Sequence, residues 1–285
     1  MRFFSVRTAA ALLATAALLG PVVAYAHQPR IVEKSPVVIT DPEVSKAYYA
    51  TLSGEPQTYT ITSSSPFTLY LQITVPDKSW AKKDVSAAII LNGDTKTPLA
   101  VLDAAAALWK PFYEPFGNDK YLKGPEFKSR VGPGTYEIRV WSTNNDSKYS
   151  LAVGEIEKFD FKETWNAISL IPHIKQDFFN ESSITFLFSV FGLAYAAIML
   201  VLGVLAGVIA RFVVYRKGQV KMKPKNIGLA DRLVRFMIGV ALLVWAVTGS
   251  WNPLVLFFAG LAFYEAFAHW CVFYAAIGRN SCPSA

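Results

Sequence analysis

The sequence predicts an all-β exported sandwich followed by α-helical membrane segments, namely one spanning helix and a transmembrane hairpin. The first half contains short runs rich in β-branched and aromatic residues, separated by turn-forming residues. The second half contains long stretches without charge. Hydrophobic residues make up 53% of the chain and its mean hydropathy is +0.30, as is typical of a membrane protein.

Residues 1–26 have the pattern of a cleaved signal peptide. Arg2 and Arg7 precede an apolar core that is too short to span a bilayer, and the segment ends in a small-x-small Ala-Tyr-Ala site. Cleavage after this site makes His27 the mature amino terminus and exports the residues that follow it.

Residues 27–158 are predicted to form the exported β-sandwich. Runs such as "FTLYLQITV" and "TYEIRVWST" have strand-like composition, and "SGEP", "GPG" and "NNDS" supply turns between the runs. No cysteine occurs in this domain. Its core therefore has to be stable without disulfides, which its size allows.

Residues 159–183 are predicted to form an amphipathic stem. Phe161, Trp165, Ile168 and Ile171 recur at spacings of three and four, and Pro172 breaks the pattern. Such a helix can pack beneath the sandwich or lie on the outer leaflet of the membrane, and the sequence does not separate these alternatives.

The first transmembrane helix is predicted at residues 184–214, because residues 184–210 carry no charge and exceed the roughly 20 residues that a spanning helix needs. A basic loop follows at residues 215–228. A transmembrane hairpin then occupies residues 229–283, with its turn at "GSWNPL".

The positive charge lies on one side of the predicted membrane. Residues 27–183 contain 17 Lys/Arg and 19 Asp/Glu, a net charge of −2, whereas residues 184–285 contain 9 and 2, a net charge of +7. Basic residues resist translocation, so the basic loop and the carboxy terminus are predicted to be cytoplasmic. This predicts a bacterial inner-membrane protein with a periplasmic sandwich. Because the basic residues cluster beside an apolar helix, they argue against nucleic-acid binding.

Two features of the exported part are candidate binding sites. A free amino-terminal His27 chelates copper when further histidines complete the site, but His173 is the only other exported histidine. The alternative for His27 is a frayed terminus. Residues 109–127 are predicted to form a long loop whose aromatic residues can line a groove for a ligand or can cover the edge of the core; they are Trp109, Phe112, Tyr113 and Tyr121.

The membrane half contains polar residues where lipid makes them costly. Glu265 and His269 are four residues apart on one predicted helix face, and Arg235 on the preceding helix is placed to contact Glu265. This cluster is interpreted as structural, with a proton relay as the alternative. Gly203 and Gly207 form a GxxxG pattern that permits close helix packing, including dimerisation.

The carboxy-terminal residues resemble a known family. "NIGLADRLVRFMIGVALLV" and "CVFYAAIGRNSCP" resemble the YgaP-like transmembrane domain family over about residues 225–283. The resemblance implies a membrane hairpin that can pair into a homodimer. Family members usually have proline after the first cysteine, where this chain has Val272.

The strands within residues 30–157 more faintly resemble bacterial pre-peptidase carboxy-terminal-type sandwiches, which implies a non-catalytic accessory or binding module. The sequence therefore predicts a non-enzymatic membrane protein without a cofactor or metal. Its predicted partners are the lipid bilayer and an unidentified envelope protein or glycan. A redox or sulfur-handling role for Cys271 and Cys282, on the cytoplasmic side, is the alternative from another functional class.

Overall fold

The computed structural model describes residues 27–216 and 225–282. The chain divides between Glu181 and Ser182 into two compact units. The predicted signal peptide and most of the predicted basic loop lie outside the described residues.

The first unit is a β-sandwich of two sheets, as the sequence predicts. One sheet, sheet A, has six strands in the order β1-β3-β11-β5-β9-β8, and sheet B has five in the order β2-β4-β10-β6-β7. β1 runs parallel to β3 and β2 runs parallel to β4, while the other pairs are antiparallel. The strands are β1 Gln28–Ile31, β2 Val37–Val38, β3 Lys46–Thr51, β4 Gln57–Ser63, β5 Phe67–Pro76, β6 Ser86–Leu91, β7 Ala100–Leu102, β8 Lys110–Glu114, β9 Asp119–Val131, β10 Gly134–Trp141 and β11 Lys148–Val153.

The core of the sandwich is built by alternation along the strands. Successive side chains of a strand point to opposite faces, so every second residue of β5 and β10 faces the other sheet. These inward residues are almost completely buried and include Leu69, Leu71, Ile73, Tyr136, Ile138 and Val140. The hydroxyls of Tyr59 and Tyr149 lie 2.9 Å apart and form a hydrogen bond within this core.

The aromatic stretch at residues 109–127 is not a loop. It forms most of an antiparallel hairpin, β8–β9, that completes the edge of sheet A, and β9 pairs with β5 along its length. Its strands carry many charged residues, so local composition does not identify them. Pairing with the strongly apolar β5 determines their conformation.

The predicted stem packs on the sandwich. Helix α1 (Phe161–His173) begins at Asp160, whose side chain accepts a hydrogen bond from the Glu163 backbone N–H at 2.8 Å. After Pro172 the chain continues as a single π-helical turn, Ile174–Phe178. Arg30 pairs with Glu163 at 3.0 Å, and the apolar side of the segment is buried against sheet A.

The second unit contains four α-helices among its described residues. They are α2 Val190–Arg216, α3 Leu229–Thr248, α4 Pro253–Ala268 and the short α5 Val272–Ala276. Within the described part, α2 is long and apolar enough to cross a membrane over Val190–Tyr215, and α4 is a shorter apolar helix.

Helix α2 begins later than the uncharged stretch predicts. Ser183–Phe188 forms a 3₁₀ turn, and the extended Ser189 then starts α2 by accepting a hydrogen bond from the Gly192 N–H at 2.8 Å. The Ser183 hydroxyl donates to the Val247 carbonyl at 3.1 Å, so this turn packs on the bend between α3 and α4.

The GxxxG residues of α2 pack within the chain. A Cβ added to Gly203 would lie 2.0 Å from the Phe257 carbonyl oxygen, and one added to Gly207 would lie 2.2 Å from the Tyr264 ring. Both contacts are with α4. The face on which the sequence allows a second chain to dock is therefore occupied by a helix of the same chain.

Candidate functional site

The first unit has a cleft on the face of sheet A that points away from sheet B. We call this space, between sheet A, the β8–β9 hairpin and α1, the cleft. It encloses about 60 Å³. Its lining is mainly aromatic and aliphatic with a few ionisable groups, and includes His27, Tyr49, Phe112, Glu114, Phe116, Asp119, Tyr121, Lys123, Ala167, Ile171 and Ile174.

An aromatic cluster packs beside the cleft, and two of its members, Tyr49 and Tyr121, line it. The Tyr49 and Tyr121 hydroxyls lie 2.8 Å apart, so each buried phenol has a hydrogen-bond partner. The Tyr121 ring packs edge-on against Phe179 with centroids 5.1 Å apart, and Tyr49 packs the same way on Phe178 at 5.0 Å. These contacts join the end of the π-helical turn to the sheet.

A buried ion pair lies beside these rings. Lys175, in the π-helical turn, places its Nζ 2.5 Å from the Asp119 Oδ1, and the two side chains are 0% and 3% exposed. Glu114 lies opposite Asp119 in the β8–β9 register. Its carboxylate accepts backbone hydrogen bonds from Phe116 and Gly117, both at 2.7 Å.

Burial governs the protonation of this group. It raises the pKa of Glu114 to about 7, and the neighbouring Asp119 charge acts in the same direction. Burial also raises the pKa of Asp119 to about 6, against the opposing effect of Lys175. Two carboxyl groups and one lysine thus share a poorly solvated position at the cleft.

His27 lies directly before β1 and contacts the sandwich. Its Nδ1 lies 2.5 Å from the Ser45 hydroxyl, and the next residue, Gln28, pairs with Ser45 through the backbone at 2.9 Å. Burial lowers the pKa of His27 to about 4, so the ring is neutral. His173 is exposed and contacts Asp177 at 3.3 Å.

The four aromatic residues of the predicted binding stretch separate into two pairs. Phe112 and Tyr121 line the cleft. Trp109 instead packs against the sandwich core and donates its indole N–H to the Ala104 carbonyl at 3.2 Å. Tyr113 is half exposed and donates to the Asn118 side chain at 3.0 Å.

Sequence reasoning missed Lys175, Asp119 and Glu114 as a group. Lys175 lies four residues after Ile171 and therefore falls on the apolar face of the stem. A lysine on a buried face needs an acidic partner, so this position was a detectable signal. The identity of that partner required the tertiary structure, because Asp119 is far away in the sequence.

The second unit brings Arg235 and Glu265 together. The Arg235 Nε donates to the Glu265 Oε2 at 2.9 Å, and both side chains are largely buried. Arg235 also lies over the Tyr274 ring, 4.9 Å from its centroid. His269 does not share a helix face with Glu265, because it ends α4 in the left-handed conformation (φ 57°).

Asn226 forms hydrogen bonds with the residues that follow the end of α4. Its side chain donates to the Cys271 carbonyl at 2.9 Å and accepts from the Cys271 N–H at 2.8 Å. Its backbone N–H donates to the His269 carbonyl at 3.1 Å, and its carbonyl accepts from Ser281 at 3.2 Å. In the sequence, Asn226 is the first residue of the motif that resembles the YgaP-like family.

The two cysteines are free thiols in different surroundings. Cys271 is 1% exposed, whereas Cys282 is only partly covered. Cys271 starts α5 and lies beside Arg235 and Glu265. Within residues 27–216 and 225–282, no group of three or more His, Cys, Asp or Glu is arranged to hold a metal ion.

Comparison with known proteins identifies the carboxy-terminal part. Residues 222–285 match the family described as the inner membrane protein YgaP-like transmembrane domain. The match covers the α3–α5 region, including the Arg235–Glu265 pair and the Asn226 contacts. Together with the apolar α2, it shows that this is a membrane protein. No curated protein matches the chain.

Solved structures resemble the sandwich only slightly. The pre-peptidase C-terminal domain of a collagenase from Bacillus anthracis covers 45% of this chain and 95% of its own, with 8% identity and a TM-score of 0.26. A beta-glucosidase from Paenibacillus barengoltzii covers 45% of this chain and 13% of its own, with 10% identity and a TM-score of 0.20.

Proposed function

We propose that this chain is a non-enzymatic inner-membrane protein that presents the sandwich to the periplasm as a binding or accessory module. The cleft carries this proposal, because it is a concave, mainly aromatic site on the exported unit. Its partner is an envelope protein or glycan that inserts an apolar group between the hairpin and α1.

The polar groups of the cleft support binding rather than catalysis. Tyr49 bonds Tyr121, Lys175 bonds Asp119, and Glu114 accepts two backbone N–H groups. These groups stabilise one another and leave apolar and aromatic surface as the main contact area. The orientation follows from the predicted signal peptide and from the basic residues that follow α2.

Site-specific photo-crosslinking in intact cells tests the proposal. A photoreactive phenylalanine replaces Phe112 at the cleft, and a matched control replaces Val101, which is 54% exposed on β7 of the other sheet. We expect a discrete adduct at position 112 that is absent at position 101. Equal labelling at both positions, or none at either, contradicts a binding cleft.

The same cells test the rival thiol-based function. Cys271→Ala and Cys282→Ala should leave the adduct at position 112 unchanged, because neither cysteine belongs to the sandwich. Mass spectrometry of the purified chain tests export and processing, and we expect a mass that corresponds to a chain beginning at His27. A chain that retains residues 1–26 contradicts the periplasmic assignment.

A further inference from the structure

The first unit has a second concavity at one edge of the sandwich, separate from the cleft. We call this space, lined by residues between Arg30 and Tyr48, the edge groove. It spans about 500 Å³ between β1 and β2, the edge strands of sheets A and B, and the neighbouring β3. A cavity of this volume is in the range of small-molecule sites. On β3, Ala47 and Tyr49 line the cleft, while the alternating Lys46 and Tyr48 line the edge groove.

Lys46 is a buried cation that lines the edge groove and is only 7% exposed. Its ammonium donates to the backbone carbonyls of Thr40 and Asp41, the second at 3.2 Å. Within the described residues no carboxylate forms an ion pair with it, and the exposed Asp41 side chain attracts it only from a greater distance. An ammonium has three donors, so one remains for a ligand. A buried charge is costly unless it is paired, so this position favours an anionic partner.

The Tyr48 hydroxyl is a second donor at the edge groove. Tyr48 is 5% exposed, and its ring packs edge-on against Tyr59 with centroids 5.6 Å apart. In the described part of the chain its hydroxyl has no hydrogen-bond partner, although a buried phenol usually has one. Lys46 and Tyr48 are two residues apart on one face of β3, a separation of about 7 Å along the strand. A ligand of a few atoms can therefore reach both donors.

The charge of the lining also favours an anion. The charged residues that line the edge groove are three basic ones and one acidic one, namely Arg30, Lys34, Lys46 and Glu33. Arg30 is neutralised by Glu163 at 3.0 Å. Glu33 and Lys34 are both exposed, so water and salt screen them. Lys46 therefore supplies the main unscreened and unpaired charge of the groove.

We propose that the edge groove binds a small organic anion, whose carboxylate or phosphate group is held by the Lys46 ammonium and the Tyr48 hydroxyl. Because the planar fork of Arg30 is taken by Glu163, the free donors are an ammonium and a hydroxyl, which accept either kind of oxyanion. The exposed side chains of Ile31 and Val38 line the same groove and contact the organic part of the ligand. This site is separate from the cleft on which the proposed function rests.

Isothermal titration calorimetry of the detergent-solubilised full chain tests the site. The probes are phenyl phosphate and phenylacetate, which carry the two oxyanions on similar apolar bodies, and benzyl alcohol is the uncharged control. We expect an anion to bind at one site, at least tenfold more tightly than the alcohol. Binding of one anion alone supports the site and identifies the group that its ligand carries. Binding of neither anion, or of the alcohol as tightly as the anions, overturns the proposal.

Matched variants locate the bound anion. Lys46→Met should weaken anion binding at least tenfold, whereas Lys34→Met, the same change at an exposed lysine of the groove, should weaken it less than about threefold. Equal losses overturn the proposal. Phe112→Ala, in the cleft, should leave the anion affinity unchanged, so the edge groove and the cleft are tested separately. A loss of affinity in Phe112→Ala places the probes in the cleft and has the same consequence as equal losses.

The melting temperature without anion separates a binding role of Lys46 from a structural one. Lys46→Met removes a buried charge that has no ion-pair partner, and the exposed Thr40 and Asp41 can bond their carbonyls to water instead. The variant should therefore melt no lower than the native chain. A lower melting temperature with unchanged anion affinity makes Lys46 structural and contradicts the site. If Lys46→Met does not fold, Tyr48→Phe replaces it: loss of the hydroxyl should weaken anion binding about tenfold, and an unchanged affinity refutes the assignment.

Discussion

Replacement of Lys175 by methionine should strongly destabilise the first unit. The side chain is 0% exposed and its ammonium lies 2.5 Å from Asp119, which is itself buried. Methionine fills most of the volume but leaves the Asp119 carboxylate without a cation. Breaking a buried pair in this way costs about 3–5 kcal/mol, a large fraction of the stability of a typical domain.

Urea unfolding of the detergent-solubilised chain, followed by tryptophan fluorescence, measures this loss. Lys128→Met is the matched control, because Lys128 pairs with Glu155 at 2.7 Å on an exposed surface and should cost less than about 1 kcal/mol. The double variant Lys175→Met/Asp119→Leu removes both charges and should be more stable than Lys175→Met alone. If Lys175→Met is as mild as Lys128→Met, or if the double variant is the less stable, the reasoning is refuted.

Three further predictions concern other contacts. Glu265→Ala should lower the melting temperature in detergent more than Glu265→Gln, because glutamine keeps an acceptor for Arg235; equal losses would contradict this. Gly203→Val should also lower the melting temperature, since the new side chain collides with α4, whereas Ala197→Val, at an exposed position of the same helix, should not. Size-exclusion chromatography after heating measures both variants. Similar profiles for the two would argue against the α2–α4 contact. His27 has a pKa of about 4 in the folded chain against about 6.5 when exposed, so the stability it contributes above pH 6.5 is lost as the pH falls towards 4. His27→Gln should reduce this loss of unfolding free energy at acid pH, as measured by urea titrations. An unchanged loss would exclude His27 as its cause.

The sandwich was predictable where local sequence and burial agree. β5 and β10 have strand-forming composition with alternating inward side chains, so their strands follow from short windows of sequence. The β8–β9 hairpin was not predictable in this way. β9 has the sequence "DKYLKGPEFKSRV", in which charged residues occupy many positions, and its pairing with β5 includes a register shift between Gln72 and Thr74.

The cleft depends on contacts that no short window contains. His27, Tyr49, Phe112 and Ile171 come from four separated parts of the chain, and only sheet order and the path of α1 bring them together. The apolar spacing of the stem predicted an amphipathic helix but left its partner open. In the structure that partner is the outer face of sheet A, against which the apolar side of the segment is buried.

The break after α4 shows how distant motif residues determine a local conformation. Relatives that the hairpin resembles usually have proline at the position of Val272, and proline disfavours helix in the residue before it. Here valine stands at that position, and the break is held by Asn226, which binds both backbone groups of Cys271, and by His269 in the left-handed conformation. The Gly228 N–H also donates to the Ser281 hydroxyl at 3.0 Å. The two ends of the family pattern therefore form one hydrogen-bonded structure.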